Sequence, residues 1–345
     1  MVDILKKNLS SFSRKQSPGG YSMSVAINRR LFLETAALGL LAACGDNKGA
    51  SVAQTEPSAT ASVDPSTLPK LSIVTWQTPQ EDKEAIREEA RRLTTEAVNA
   101  LGGMSRFISK GDVVFIKPNI GWDRRPEQAA NTNPDVVATL VKLCYEAGAR
   151  KVRISDLTCM DEQRTFARSG IQEAAKAEGA EVFFLDRRKF KEMNLGGKTL
   201  PTWPIYTEFV ECDKRINVPI AKTHNHALLT LSIKNLMGMM GDPRNQLHQN
   251  LGPALADVAA FLKTDLIVLD AIRILKRNGP TGGDPKDVER KDTIVAGMDP
   301  VAIDAFGATL FDLKPEDLST VTESEKRGVG TKDYESLKPI RLSIS

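Results

Sequence analysis

The sequence is sparing with the residues that staple or metallate a fold. Four cysteines stand in 345 residues, with no C-x-x-C pair. An iron–sulfur cluster or a cysteine-based zinc site is therefore not expected, and a disulfide framework is not expected in a domain this large. No charge of one sign dominates: 47 Lys and Arg face 44 Asp and Glu, a net of +3. Even that small excess is local. Residues 1–44 hold six basic and two acidic groups, which leaves 41 basic against 42 acidic groups elsewhere. A nucleic-acid-binding surface thus loses its electrostatic support. Several chemical signatures are also missing. There is no G-x-G-x-x-G after a strand, no G-x-x-x-x-G-K-[ST], no H-E-x-x-H and no G-x-S-x-G. These absences lower the odds of a nucleotide enzyme or a serine hydrolase.

What is present begins with an address. Arg29 and Arg30 precede Leu31-Phe32-Leu33, and a short apolar run follows over residues 36–43. That run is far below the ~20 residues needed to span a bilayer. The charged start, short apolar stretch and small residues read as a signal peptide. The arginine pair resembles a twin-arginine signal. Leu41-Ala42-Ala43-Cys44-Gly45 resembles the lipobox of bacterial lipoproteins, which implies lipidation of Cys44. The expectation is a signal peptide over 1–44, with Met1 or Met23 as start, followed by a flexible tether over 45–69 rich in Ala, Ser, Thr, Pro and Asp. The implied partners are the twin-arginine export machinery and a membrane reached through the lipid. The implied location is periplasmic or on the cell surface.

The remainder, residues 70–345, alternates strand and helix patterns. Strands are predicted over 71–75, 112–117, 151–155, 181–185, 214–220, 266–270 and 293–296. Helices are predicted over 81–101, 134–148, 161–178, 228–240, 254–262 and 300–311. Asn133-Pro134 and Asp299-Pro300 each place a capping side chain before a proline at the first helical position. The pattern predicts an α/β fold: a mostly parallel sheet covered by helices in Rossmann-like layers. A domain split near 195–205, where Gly196, Gly197, Pro201 and Pro204 cluster, is a second option.

All three histidines, His224, His226 and His248, fall within 25 residues. They are candidates for acid/base work or for imidazole ligation of a divalent transition metal, or they are simply loop histidines. His224 follows a strand, and ligands of open α/β sheets bind at the carboxyl ends of strands. Lys117, Asn119, Asp156 and Asp270 lie at other strand ends, and Lys222 lies just before His224. Lys117 and Lys222 suit a small anionic substrate, although a snorkelling Lys117 and a turn-capping Asp156 are equally simple readings. Lys234 interrupts the apolar stretch 228–240 and must be paired, neutralised or used. Asp304 is its candidate partner, or else a solvated residue. Asn235 adjoins Lys234. Cys144 reads as a small core residue.

The segments Phe115-Ile116-Lys117-Pro118-Asn119, Ala147-Gly148-Ala149, Ile216-Asn217-Val218-Pro219-Ile220-Ala221-Lys222-Thr223-His224, Ser232-Ile233-Lys234-Asn235-Leu236-Met237-Gly238 and Asp299-Pro300-Val301-Ala302-Ile303-Asp304 together resemble the family called domain of unknown function 362. The resemblance spans roughly residues 70–330. It implies a functional rim of Lys117, Asn119, Asp156, Lys222, His224, Lys234, Asn235, His248, Asp270, Asp299 and Asp304. The order His224, Lys234, His248 is also similar to that of nickel-pincer lactate racemases. That likeness implies a cofactor on the lysine and a metal-ligating histidine, although the Gly-rich context usual there is missing around Lys234. The leading expectation is an exported, lipid-anchored enzyme acting on a small anion with a metal or cofactor. A binding lipoprotein without turnover is the rival, and a structural envelope protein is a third reading.

Overall fold

Strand β2 (Val113–Pro118) is buried almost along its whole length, as its run Val-Val-Phe-Ile demands. It pairs in parallel with β3 (Lys151–Ile154), which pairs in parallel with β4 (Glu181–Val182). On its other side β2 pairs in parallel with β7 (Lys214–Val218). The ten-residue β10 (Leu266–Leu275) continues the sheet, parallel to β7 and antiparallel to β11 (Val288–Gly297). The edge is formed by β1 (Leu71–Trp76), antiparallel to β11, and β12 (Ile340–Ile344), parallel to β1. This computed structural model describes residues 68–79 and 82–345, without the side chain of His248. The segments expected to be a signal peptide and a tether, residues 1–44 and 45–69, lie outside the described residues except for 68 and 69, and so does Cys44. No described helix is long and apolar enough to cross a membrane.

Side chains alternate across the sheet, so each strand feeds two cores. Val268 and Ile272 of β10 join Leu93, Val114, Ile116 and Leu140 on one face. Ile267, Leu269 and Ile274 join Phe115, Phe209 and Val258 on the other. Helices α1 (Lys83–Asn99) and α2 (Pro134–Glu146) supply the first layer. The expected caps are present. Asn133 Oδ1 accepts from the Asp135 amide at 2.9 Å, and Asp299 Oδ1 accepts from the Val301 and Ala302 amides at 2.9 Å each. Each such cap is worth about 1 kcal/mol.

The sequence expectation departs from the structure at several points. The single helix expected over 161–178 is two, α3 (Glu162–Arg168) and α4 (Ile171–Ala177). Gly170 separates them with a left-handed φ of 74° that a helix interior does not accept. The strand expected over 214–220 breaks at Pro219, which has no amide to donate. Beyond it β8 (Ile220–His224) pairs with β10 and with β9 (Leu228–Thr230). The buried helix expected over 228–240 is instead β9, the single turn α6 (Ser232–Asn235) and a tight turn, Leu236–Met239. Its hydrophobicity reports burial rather than helix. No domain boundary falls at 195–205. There the hairpin β5 (Phe190–Asn194) and β6 (Thr202–Tyr206) leads into α5 (Thr207–Glu211), and Leu195, Leu200, Ile205 and Tyr206 pack into the same core as β10. Helices α7 (Leu251–Phe261), α8 (Pro300–Thr309) and α9 (Ser319–Lys326) complete the second layer.

Candidate functional site

The carboxyl ends of β2, β3 and β8 meet α6 around a cavity of about 440 Å³. Lys117, Asn119, Asp156, Lys222, His224, His226, Lys234 and Asn235 all line it. Eight of the residues singled out from the sequence are therefore brought together by the fold.

Lys117 and Lys222 are buried, at 0% and 1% exposure, yet they are held differently. Lys117 Nζ pairs with Asp156 Oδ1 at 2.8 Å and donates to Pro118 O at 2.7 Å and Asn235 Oδ1 at 3.1 Å. Burial pulls its pKa below the ordinary lysine value, against the opposing pull of Asp156. Asp156 in turn accepts from the amides of Ile120 (2.7 Å) and Leu157 (2.9 Å), so it also fixes the loops after β2 and β3. Among the described residues Lys222 Nζ has no carboxylate partner. It donates to Asn119 Oδ1 at 2.9 Å and to Ala130 O. Burial lowers its pKa to about 7, and nearby Lys234 and Lys117 add to the fall. Asn119 Nδ2 and Lys117 share Asn235 Oδ1, and Asn235 Nδ2 reaches Asn217 Oδ1 at 2.8 Å. This amide ladder holds the two ammonium groups at fixed positions.

Lys234 projects from α6 and is brought to a pKa of about 8 by burial, with Arg244 and Lys117 adding repulsion. Its Nζ contacts the Met237 thioether at 3.2 Å, a weak acceptor, and has no ion pair among the described residues. Asp304 is not its partner. Asp304 is buried beneath α6, where it accepts from the Ser232 amide (2.7 Å), the Ser232 hydroxyl (2.5 Å) and the Ile233 amide (3.1 Å). Burial pushes its pKa up to about 7, although those three donors favour the ionised form. Asp304 therefore positions the helix that carries Lys234 and does not line the cavity. Asp270 also stands off the cavity wall. It is buried, accepts from the Asn133 amide at 2.7 Å and the Ile272 amide at 3.1 Å, and has its pKa raised to about 6 by burial. It ties β10 to the start of α2. Asp299 caps α8 and accepts from the Thr331 amide at 3.0 Å.

The histidines occupy the rim. His224 Nδ1 accepts from the amides of His226 (3.1 Å) and Ala227 (3.3 Å). That bonding places the proton of the neutral ring on Nε2, which makes Nε2 a donor rather than a metal-binding lone pair. Among the described residues no group of three or more His, Cys, Asp or Glu side chains could hold a metal ion. His248 lies in the turn Arg244–Asn250, and its side chain falls outside the described residues.

Four contributors are given no role by the sequence. Arg244 lines the cavity with its guanidinium bonded to three carbonyls, those of Met237, Leu157 and Thr158, and to no carboxylate. The free thiol of Cys159 lies three residues past Asp156, so the strand-end logic that picked Asp156 would also have found it. Gly238 approaches the Lys117–Asp156 pair so closely that a Cβ there would overlap both side chains. The Thr230 hydroxyl lines the same cavity and is buried without a hydrogen-bond partner.

The buried lysines at these strand ends fall within the stretch matched by a family model. The model named "Domain of unknown function (DUF362)" matches residues 114–309, and the chain belongs to that family. The thylakoid-associated protein of Synechocystis sp. is 27% identical over 256 residues, covering 70% of this chain and 75% of that protein. Among solved structures, the lactate racemase apoprotein of Thermoanaerobacterium thermosaccharolyticum aligns with a TM-score of 0.38 and 14% identity, over 66% of this chain and 54% of that one. A protein from Thermotoga maritima aligns with a TM-score of 0.34 and 11% identity, over 71% of this chain and 59% of that one. The chain thus spans just over half the length of each of these solved proteins.

Proposed function

We propose that the cavity binds a small anion, carboxylate- or phosphate-bearing, and that the protein is an enzyme acting on it. One observation carries this reading. Lys117, Lys222, Lys234 and Arg244 line the cavity against the single carboxylate of Asp156. Buried cations require compensation, and among the described residues neither Lys222 nor Lys234 has a carboxylate to supply it. The Thr230 hydroxyl, buried with no hydrogen-bond partner among the described residues, adds a neutral recognition group for the same anion. In this reading Lys117 and Arg244 are fixed counter-charges, while Lys222 and Lys234, both drawn toward neutral pH, bind the anion and exchange protons with it.

The donor set of the described residues does not make a metal site. A racemase-like reading, with a cofactor carried on Lys234, is favoured by the position of that amine in the cavity beside a lone thioether. Intact mass analysis of protein purified after native export separates the two readings: an adduct on Lys234 supports the racemase-like one.

The address completes the proposal: export by the twin-arginine route and anchoring through a lipid on Cys44. The arginine pair and the Leu41–Cys44 sequence support it, and the thylakoid-associated relative is in keeping with a membrane surface. In a screen of small carboxylates and phosphates, the wild-type protein should melt higher with at least one of them, and Lys222→Met/Lys234→Met should not. A Cys44→Ser variant should leave the membrane fraction. A screen in which no anion stabilises the wild type would overturn the anion reading.

A further inference from the structure

A second cavity, of about 690 Å³, shares no lining residue with the first. It is walled by α1, the Pro126–Asp135 stretch and α4, and Arg273 of β10 reaches it. Among the described residues the Arg273 guanidinium makes no hydrogen bond and no ion pair. It is half-buried, and desolvation draws its pKa down from the ordinary arginine value. Three carboxylates act on it only through space, and each is committed elsewhere. Asp270 takes the Asn133 and Ile272 amides, Glu127 pairs with Arg125 at 3.0 Å, and Asp135 pairs with Arg87 at 3.2 Å. The amino end of α2 is not a competing recognition group. The Asn133 amide is given to Asp270 and the Asp135 amide to Asn133 Oδ1.

A guanidinium carries five donors in a planar fork and stays charged at any physiological pH. A guanidinium with no protein acceptor, lining a cavity, is a ready partner for a carboxylate, which it can hold through two parallel bonds. The cavity around Arg273 supplies the space for such an acceptor. Its walls then restrict the class. Ile86, Pro134, Ala174 and Ala177 are apolar, and Glu127, Asp135 and Glu173 balance the cations Lys83, Arg87 and Arg273, so the lining carries no net positive charge to favour a multiply charged ligand.

We infer that this cavity is a binding site for a singly charged carboxylate with a short aliphatic body, its carboxylate held by Arg273. The site is independent of the strand-end cavity and of the activity proposed there.

Hexanoate is a suitable probe, titrated calorimetrically into the full-length protein, with neutral hexanamide as its uncharged match. Three proteins are compared: wild type, Arg273→Met, and Lys222→Met as a control for the first cavity. Saturable hexanoate binding is expected in the wild type and, unchanged at this site, in Lys222→Met. Arg273→Met should bind at least about tenfold more weakly, as should hexanamide to the wild type. Equal hexanoate binding by wild type and Arg273→Met would overturn the inference. So would hexanamide binding as well as hexanoate, or the absence of saturable hexanoate binding in the millimolar range. Should Arg273→Met fail to fold, the comparison of the two probes on wild-type protein decides the question.

Discussion

Replacing Asp156 by Asn tests how much of the site is held by one buried ion pair. The substitution keeps the shape of the side chain and removes its charge. Lys117 Nζ then faces an amide instead of a carboxylate at 2.8 Å, in a place with 0% exposure. Asn has one acceptor oxygen, whereas Asp156 serves the Lys117 ammonium and the Ile120 and Leu157 amides with two. One donor is therefore left facing an NH₂ group. Removing one partner of a buried pair costs about 3–5 kcal/mol, which corresponds to a fall in melting temperature of roughly 10 °C for a domain of this size. Chemical denaturation of wild type and variant measures the difference. Without Asp156 the lysine can escape the penalty only by losing its proton. Its folded pKa then lies further below the unfolded value, the unfolded state binds more protons, and stability rises with pH. The deficit should accordingly shrink between pH 6 and pH 9. A loss below about 1 kcal/mol, or a deficit independent of pH, would refute the claim that Lys117 is a buried cation held by Asp156.

Three further outcomes follow from the same geometry. Affinity for the bound anion should fall as pH rises through about 7, the pKa of Lys222, because the anion needs the protonated amine; titrations of Lys222→Met should lose that dependence. Gly238→Ala places a methyl group against Asp156 and Lys117, and should cost about 1–3 kcal/mol in urea unfolding and weaken anion binding. Asp304→Ala removes three hydrogen bonds at the start of α6. It should cost about 2–4 kcal/mol and disturb binding only through the placement of Lys234, so that the pH dependence set by Lys222 survives in the folded variant.

The sequence carried the parts of this picture that depend on neighbours along the chain. The buried run of β2 and the caps at Asn133-Pro134 and Asp299-Pro300 are local signals, and the structure contains them. Strand-end placement was enough to collect Lys117, Asn119, Asp156 and Lys222 at one rim, because a parallel sheet aligns those ends. What depends on distant partners was not legible. Asp304 reaches Ser232 across 72 positions and Asp270 reaches Asn133 across 137, so neither carboxylate announces that its role is to hold backbone amides. Lys234 and Asp304 do not pair, because Asp304 on α8 is taken up by Ser232 and the Ile233 amide while Lys234 lines the cavity. The stretch 228–240 was misread because burial on all sides erases the periodicity that separates a helix from a strand and a turn.

The direct test of the account is a titration of wild type, Lys222→Met and Lys234→Met with one anion that stabilises the wild type, at a pH below 7. The account predicts that each lysine removed weakens binding by about tenfold or more, the worth of a charge-assisted hydrogen bond. Affinity unchanged in both variants would contradict it, because the cationic excess of the strand-end cavity would then have no part in holding the ligand.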